Sequence, residues 1–248
     1  MNASSNGQTG RPRSIDLNAD LGEGFPNDRR LLELVTSASI CCGAHAGSRD
    51  VIRQTLRDAS ACGVVVGAHP GYHDREGFGR RDQKLTRDQV VDLINIQVAE
   101  LIDLAEEIGV DVVFLKPHGA LYNQAQRQID VAVPVALAAG ILELPLFGQP
   151  GSLLEAEAHK HRLPFVPEGF PDRRYRADGS LVPRSESDAV LHDPGEIEAQ
   201  VLRLVSEGKV ATLCIHGDDP RAVANADLVR IALKKHGIVV RRFRDDLG

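Results

Sequence analysis

The chain of 248 residues has no tryptophan, one methionine and 4% aromatic residues. Its 29 Lys and Arg are outnumbered by 35 Asp and Glu, for a net charge of -6. Domains that grip nucleic acid or an anionic membrane concentrate basic side chains, so neither partner is expected. No apolar run approaches the roughly 18 residues of a membrane span. Residues 1–14 lack the apolar core of a secretory signal and read as a disordered polar tail. The four cysteines never take a C-x-x-C spacing. A chain of this size hides roughly 70–75% of the surface its unfolded form exposes, so its core needs no disulfide or structural zinc. Cys41, Cys42, Cys62 and Cys214 are therefore expected as reduced thiols in a cytoplasmic protein. The sequence also lacks G-x-x-x-x-G-K-[ST], H-E-x-x-H and G-x-S-x-G, which removes the phosphate-loop, zincin and serine-nucleophile readings.

What the chain does have is alternation. Short apolar runs at 15–18, 38–42, 64–68, 112–115, 144–147, 164–166, 211–215 and 238–240 suit strands of a parallel sheet covered on both faces. Helical patterns separate them. Thr86 and Gln89 spell a capping box ahead of a pattern that Gly109 stops; Asp193-Pro194 opens another helix and Asp219-Pro220 a third. Such repetition fits a (β/α) barrel or an open doubly wound sheet. The second would want G-x-G-x-x-G after its first strand, where Gly22-Glu23-Gly24-Phe25-Pro26-Asn27 stands instead, so a single barrel domain over 15–248 is expected.

Nine histidines need explaining. His45, His69, His118 and His216 follow successive strands, each with Gly or Pro within two residues. Asp16, Asn18, Asp20 and Glu23 follow the first strand, Lys116 the fourth, Glu168 the sixth and Asp218 the seventh. In a barrel these positions share the C-terminal rim, where barrel enzymes carry their chemistry. A satisfied structural histidine explains one such residue better than four. His159, His161, His192 and His236 fall in helices or loops and need no role, and His73 is left open. The long segment from Glu168 to Arg184 carries Arg173, Arg174, Arg176 and Arg184 and reads either as a lid whose arginines clamp a carboxylate or phosphate or, taken by itself more readily, as a solvated loop whose arginines pair with nearby Asp and Glu. Gly77-Phe78-Gly79-Arg80-Arg81 offers the same choice between anion binding and a solvated loop.

Six blocks, in order, then carry a resemblance: Asp16-Leu-Asn-Ala-Asp-Leu-Gly-Glu-Gly24, Cys42-Gly-Ala-His-Ala-Gly47, Gly67-Ala-His-Pro-Gly-Tyr72 with Gly77-Phe-Gly-Arg-Arg81, Lys116-Pro-His-Gly-Ala-Leu-Tyr-Asn123, Glu168-Gly-Phe-Pro-Asp-Arg-Arg-Tyr175 with Asp178-Gly-Ser-Leu-Val-Pro-Arg184, and Cys214-Ile-His-Gly-Asp218. The sequence resembles the LamB/YcsF family from about Ile15 to the last helix. The resemblance implies a TIM-like (β/α)7 barrel of the glycoside hydrolase/deacetylase superfamily. It also implies one component of an ATP-dependent 5-oxoprolinase, opening 5-oxoproline to L-glutamate with two partner subunits, B and C. Ala44 in place of a usual aromatic, Ser48-Arg49 in place of a common Asp-Pro, and the charged His73-Asp-Arg-Glu76 depart from the pattern at the pocket rim.

A five-membered lactam is an unstrained amide. Its carbonyl must be activated, for instance by phosphorylation of the oxygen with ATP; water must attack; the ring nitrogen must be protonated. Asp20, His45 and His69 are the expected hydrolytic centre, with His118 and His216 as further acid/base groups and Lys116 steadying an oxyanion or phosphate. Arg173 or Arg174 would hold the substrate carboxylate, and Asn18, Glu23, Glu168, Arg184 and Asp218 complete the binding set. ATP is expected as co-substrate, bound on this chain or on a partner. Two other readings stay open. Asp20, His45 and His69 could hold a divalent metal, as in a metal-dependent amidohydrolase or deacetylase; or the barrel could be a non-catalytic binding component.

Overall fold

The computed structural model describes residues 14–184 and 186–243. The expected tail lies outside them except for Ser14, which opens the first strand. Seven parallel strands form the barrel: β1 (Ser14–Leu21), β2 (Ser37–Cys41), β3 (Val65–His69), β4 (Val112–Leu115), β5 (Leu146–Gly148), β6 (Phe165–Gly169) and β7 (Thr212–His216). They pair in chain order, and β1 pairs with both β2 and β7, which closes the ring. A short β8 (Val239–Val240) adds to β1 at Ser14 and Ile15, just before β1 enters the ring. The helices are α1 (Asp28–Leu32), α2 (Arg49–Cys62), α3 (Arg87–Glu106), α4 (Gly119–Arg127), α5 (Ile129–Ile141), α6 (Leu153–Lys160), α7 (Pro194–Ser206) and α8 (Ala222–Lys235). The expected TIM-like (β/α)7 barrel is the fold observed.

Local side-chain caps explain the starts of α2, α3, α6 and α7. The Thr86 hydroxyl accepts from Gln89 N while the Gln89 side chain accepts from Thr86 N, the reciprocal box that begins α3. Asp193 caps α7, with Pro194 in its first turn. Asp219-Pro220 does not begin α8. The Asp219 carboxylate accepts from Arg221 N two residues on, closing a turn of its own, and α8 starts at Ala222.

The largest extensions past the expected strand ends are those of β1 to Leu21 and β6 to Gly169, so Asp20 and Glu168 lie within strands rather than after them, as Asp16 and Asn18 do within the expected run 15–18. Alternation explains β1: Leu17, Ala19 and Leu21 join the apolar layer between sheet and helices, while Asp16, Asn18 and Asp20 take the other face, inside the ring. Toward the N-terminal end that interior is filled by aromatics. Phe114 stacks on Phe147 at 4.1 Å between centroids, and Phe243 meets both edge-on. Gly67 makes this possible, because a Cβ there would run into the Phe114 ring. With this end plugged, the polar residues are left to the other end.

Candidate active site

The site rises in layers along β1. Asp16, lowest, accepts from the hydroxyls of Thr36 (2.8 Å), Ser37 (2.7 Å) and Thr212 (2.6 Å). Burial raises its carboxyl above the ordinary range in spite of these bonds. One layer up, the Asn18 amide donates to Glu168 Oε1 (3.0 Å) and Thr212 Oγ1 (2.8 Å), and its oxygen accepts from Lys116 Nζ (3.1 Å). Asp20 sits highest, with Oδ1 at 2.8 Å from Lys116 Nζ and Oδ2 at 3.5 Å from His69 Nε2.

Lys116 ties these layers together. It is only 2% exposed, and its ammonium meets Asn18, Asp20, Glu168 Oε1 (2.7 Å) and Cys214 Sγ (3.0 Å). Burial would lower its pKa, but the charges of Asp20, Cys214 and Glu168 hold it well above the usual value. Burial likewise opposes the charge of Asp20, and His69, Lys116 and His216 overcome that and hold its carboxyl below the ordinary range. Four acceptors compete for three N–H protons, so Lys116 acts on a nearby oxyanion through its charge; to donate directly it must release a partner.

One wall of the cavity is made of imidazoles. His69 Nδ1 donates to the Lys116 carbonyl and His118 Nε2 to the Phe78 carbonyl, each at 2.8 Å. His45 stacks face to face on His118 at 3.6 Å, and its Nε2 lies 3.1 Å from Glu23 Oε1. Burial lowers His45 to about 3 and His69 to about 4, and holds His118 well below the usual imidazole range. Gly79 passes so close that a Cβ would lie 2.9 Å from both His45 and His118, and its φ of 64° also suits glycine.

The facing wall belongs to β7 and the lid root. His216 Nδ1 lies 3.3 Å from Asp172 Oδ2, and its ring stacks on Phe170 at 5.4 Å. Asp172 is 1% exposed; burial opposes its charge, but His216 and the arginines Arg184 and Arg173 keep its pKa low. At the mouth, Asp218 bridges Arg184 (3.2 Å) and Arg80. Arg173 spends its guanidinium on the lid carbonyls of Ala189 and Val182.

Between these walls lies a cavity of about 560 Å³ lined by Asp20, His69, Lys116, His118 and His216, together with Tyr122, Arg80, Arg173 and Arg184. Asn18 and Glu168 stand behind Lys116, Glu23 and His45 behind His118, and Asp218 behind the two arginines. Arg174 is not among the lining residues: one residue along the chain from Arg173 it faces away, reaching the Asp188 carbonyl and Glu196. Nor does His45 meet Asp20 and His69 as a third metal donor, because its Nε2 is turned to Glu23. Among the described residues the donors that converge within 4.8 Å are Glu23, His69 and His118, and separately Asp20, Cys214 and His216. Asp172 was hidden among the lid arginines; a carboxylate two residues after Phe170, opposite a strand-end histidine, was the available signal. His73, His159, His161 and His192 are exposed.

The closed parallel barrel thus gathers buried carboxylates, a buried ammonium and four imidazoles at the C-terminal end of its strands. The LamB/YcsF family model matches residues 15–247, and the chain belongs to that family. It is 44% identical to the A subunit of 5-oxoprolinase from Methylococcus capsulatus, over 92% of this chain and 95% of that one. Among solved structures it is similar to the lactam utilization protein of Thermus thermophilus, with a TM-score of 0.84 and 40% identity over 92% of this chain and 99% of the other. The T48 deacetylase, at 17% identity and a TM-score of 0.53 over 92% of this chain and 87% of its own, shares the fold alone.

Proposed function

We propose that this chain is the ring-opening component of a cytoplasmic, ATP-dependent 5-oxoprolinase, converting 5-oxoproline to L-glutamate together with two partner subunits, B and C. The observation that carries the reading is the cavity itself: Asp20 and Lys116 form its floor, imidazoles stand on both walls, and arginines guard its mouth. The relatives' names support the lactam as substrate. Since the sequence has no phosphate loop, the reading assigns ATP to a partner, where it activates the carbonyl oxygen by phosphorylation.

The residues suit the remaining steps. Water adds to the activated carbonyl carbon and gives up a proton, the C–N bond breaks as the ring nitrogen takes a proton, and the acyl phosphate so formed is hydrolysed by a second water to phosphate and the new carboxylate. Charge gathering on that oxygen is stabilised by the Lys116 ammonium in a water-poor site, where such a charge is worth far more than in bulk water. Asp172 takes His216 Nδ1, leaving Nε2 as the nitrogen available to the cavity for proton transfer. Arg184 and Arg80 supply the positive charge at the mouth for the substrate carboxylate.

The test is glutamate release from 5-oxoproline and ATP by this chain reconstituted with its partners. Asp20→Asn is expected to lower turnover by about 10²-fold or more while the far-UV spectrum is unchanged. Normal turnover in a folded Asp20→Asn protein would remove this cavity from the reaction, and no release by the wild-type complex would refute the substrate.

A further inference from the structure

The imidazole wall contains a conflict that hydrogen bonding within the protein does not resolve. A backbone carbonyl can only accept. His69 Nδ1 at 2.8 Å from the Lys116 carbonyl therefore carries hydrogen, and so does His118 Nε2 at 2.8 Å from the Phe78 carbonyl. In neutral rings that leaves His69 Nε2 and His118 Nδ1 as bare lone pairs, and these two atoms face each other at 3.0 Å. A carboxylate oxygen, Glu23 Oε1, lies 3.4 Å from His118 Nδ1, and Asp20 Oδ2 lies 3.5 Å from His69 Nε2. Two lone pairs and two carboxyl oxygens thus converge, all buried; His45 Nε2–H reaches Glu23 Oε1 and the Cys214 thiol reaches Asp20 Oδ2, but among the described residues no N–H reaches the two bare ring nitrogens. A cation at this point would satisfy all four atoms at once.

We propose that Glu23, His69 and His118, with Asp20 beside them, form a binding site for a divalent transition-metal ion of the zinc type. Two imidazole nitrogens and carboxylate oxygens are the donor set such ions select. The surroundings are arranged as those of metal ligands are. Each histidine is fixed by an N–H donated to a carbonyl, and Glu23 is held by His45, whose Nε2–H reaches Oε1 at 3.1 Å while its ring stacks on His118. Lys116 engages Asp20 through Oδ1 and leaves Oδ2 toward His69. The other converging set, Asp20, Cys214 and His216, is served already: Lys116 supplies a cation to its aspartate and cysteine, and Asp172 takes the histidine. When bound, such an ion supplies Lewis acidity toward a carbonyl oxygen or a water. The inference concerns occupancy and holds whichever substrate the cavity accepts.

The test needs no turnover assay. The full chain, purified without added ions, is analysed for metal, then stripped with a chelator and titrated with Zn²⁺ by calorimetry and with Co²⁺ by visible absorption. The wild type is expected to bind one ion. His118→Ala and Glu23→Gln are each expected to weaken binding by at least about 10–100-fold. His161→Ala, at an exposed histidine beside Glu157, serves as the surface control and is expected to bind like wild type. A stripped wild-type chain that takes up neither ion would overturn the site whether or not the variants fold. So would unchanged binding in folded His118→Ala and Glu23→Gln, or loss confined to His161→Ala. Failure of glutamate release with a metal-loaded wild type would count against the proposed substrate and leave the site standing.

Discussion

Asp16 and Asp20 lie four residues apart on one face of one strand, and the barrel treats them in opposite ways. Asp16, at the closed end, is ringed by three hydroxyls and burial raises its pKa; Asp20, at the open end, has an ammonium at 2.8 Å and its pKa is lowered. A hydroxyl can satisfy a carboxyl group in either protonation state, whereas an ammonium selects the charged one. The lower end is therefore arranged to be structural, around a carboxyl whose charge burial disfavours. The upper end maintains opposite charges beside the cavity, which costs desolvation and is sustained only because Lys116, Asp20, Glu168 and Asn18 meet at 2.7–3.1 Å.

The harshest way to break this arrangement is to remove its cation. Lys116→Met keeps the side-chain length but leaves Asp20 and Glu168 facing each other unpaired. Loss of one partner of a buried ion pair destabilises by about 3–5 kcal/mol, which urea unfolding will show. Glutamate release should fall at least about 10³-fold in the fraction that stays folded. A Lys116→Met protein of normal stability would mean that the two carboxyl groups share a proton without the ammonium.

Next comes the wall that faces the imidazole cluster. Asp172→Asn retains the shape of the side chain but can offer an amide hydrogen to His216 Nδ1, stabilising the tautomer whose Nε2 bears the proton. The expected result is a fall in kcat of about 10²-fold with KM within about twofold, and recovery of part of the loss in Asp172→Glu. A rise in KM alone would move Asp172 from orienting His216 to holding substrate.

How much of this contrast could be read from the sequence depends on how local each cause is. The α3 capping box involves neighbours, and the four strand-end histidines announce themselves through adjacent Gly and Pro, so both were legible. Asp20 fell beyond the expected strand 15–18 because polar alternation extends a strand only when partners arrive from elsewhere: Lys116 is 98 residues from Asn18, and Glu168 is 150. Ring nitrogens are hidden for the same reason. His45 and His118 are equivalent as letters, yet one ring binds Glu23 while the other is anchored by Phe78, a carbonyl that any residue could supply. Arg173 and Arg174 could not be separated either, since the lid's backbone path decides which one faces the cavity.

That pair sharpens the contrast at the mouth. Arg174 engages Asp188 and Glu196 on the outer surface, whereas Arg184 lines the opening beside Asp218. Arg184→Ala is expected to raise KM for 5-oxoproline about 10-fold, and Arg174→Ala to leave both kinetic constants within about twofold. Steady-state rates of the reconstituted complex decide it, and equal effects at the two positions would mean that the lid as a whole is what the substrate meets.

The smallest effect is expected at Asp16, and its sign is the informative part. Asp16→Asn should cost about 1–3 kcal/mol, because the amide accepts through one oxygen where three hydroxyls now donate to two. Glutamate release should stay within about twofold of wild type, since the site lies a full layer below the cavity floor. Burial raises the folded pKa of Asp16 above its unfolded value, so the native chain holds a proton that the unfolded chain releases. Its stabilising contribution is complete below the unfolded value of about 3.9 and is lost as pH rises through the raised folded value. Asn has nothing to lose over that interval, so urea midpoints of the two proteins should differ most near pH 4 and converge toward pH 8. A gap that widened with pH instead would mean that Asp16 is held charged, as Asp20 is, and that the three hydroxyls do the work assigned to an ammonium one layer higher.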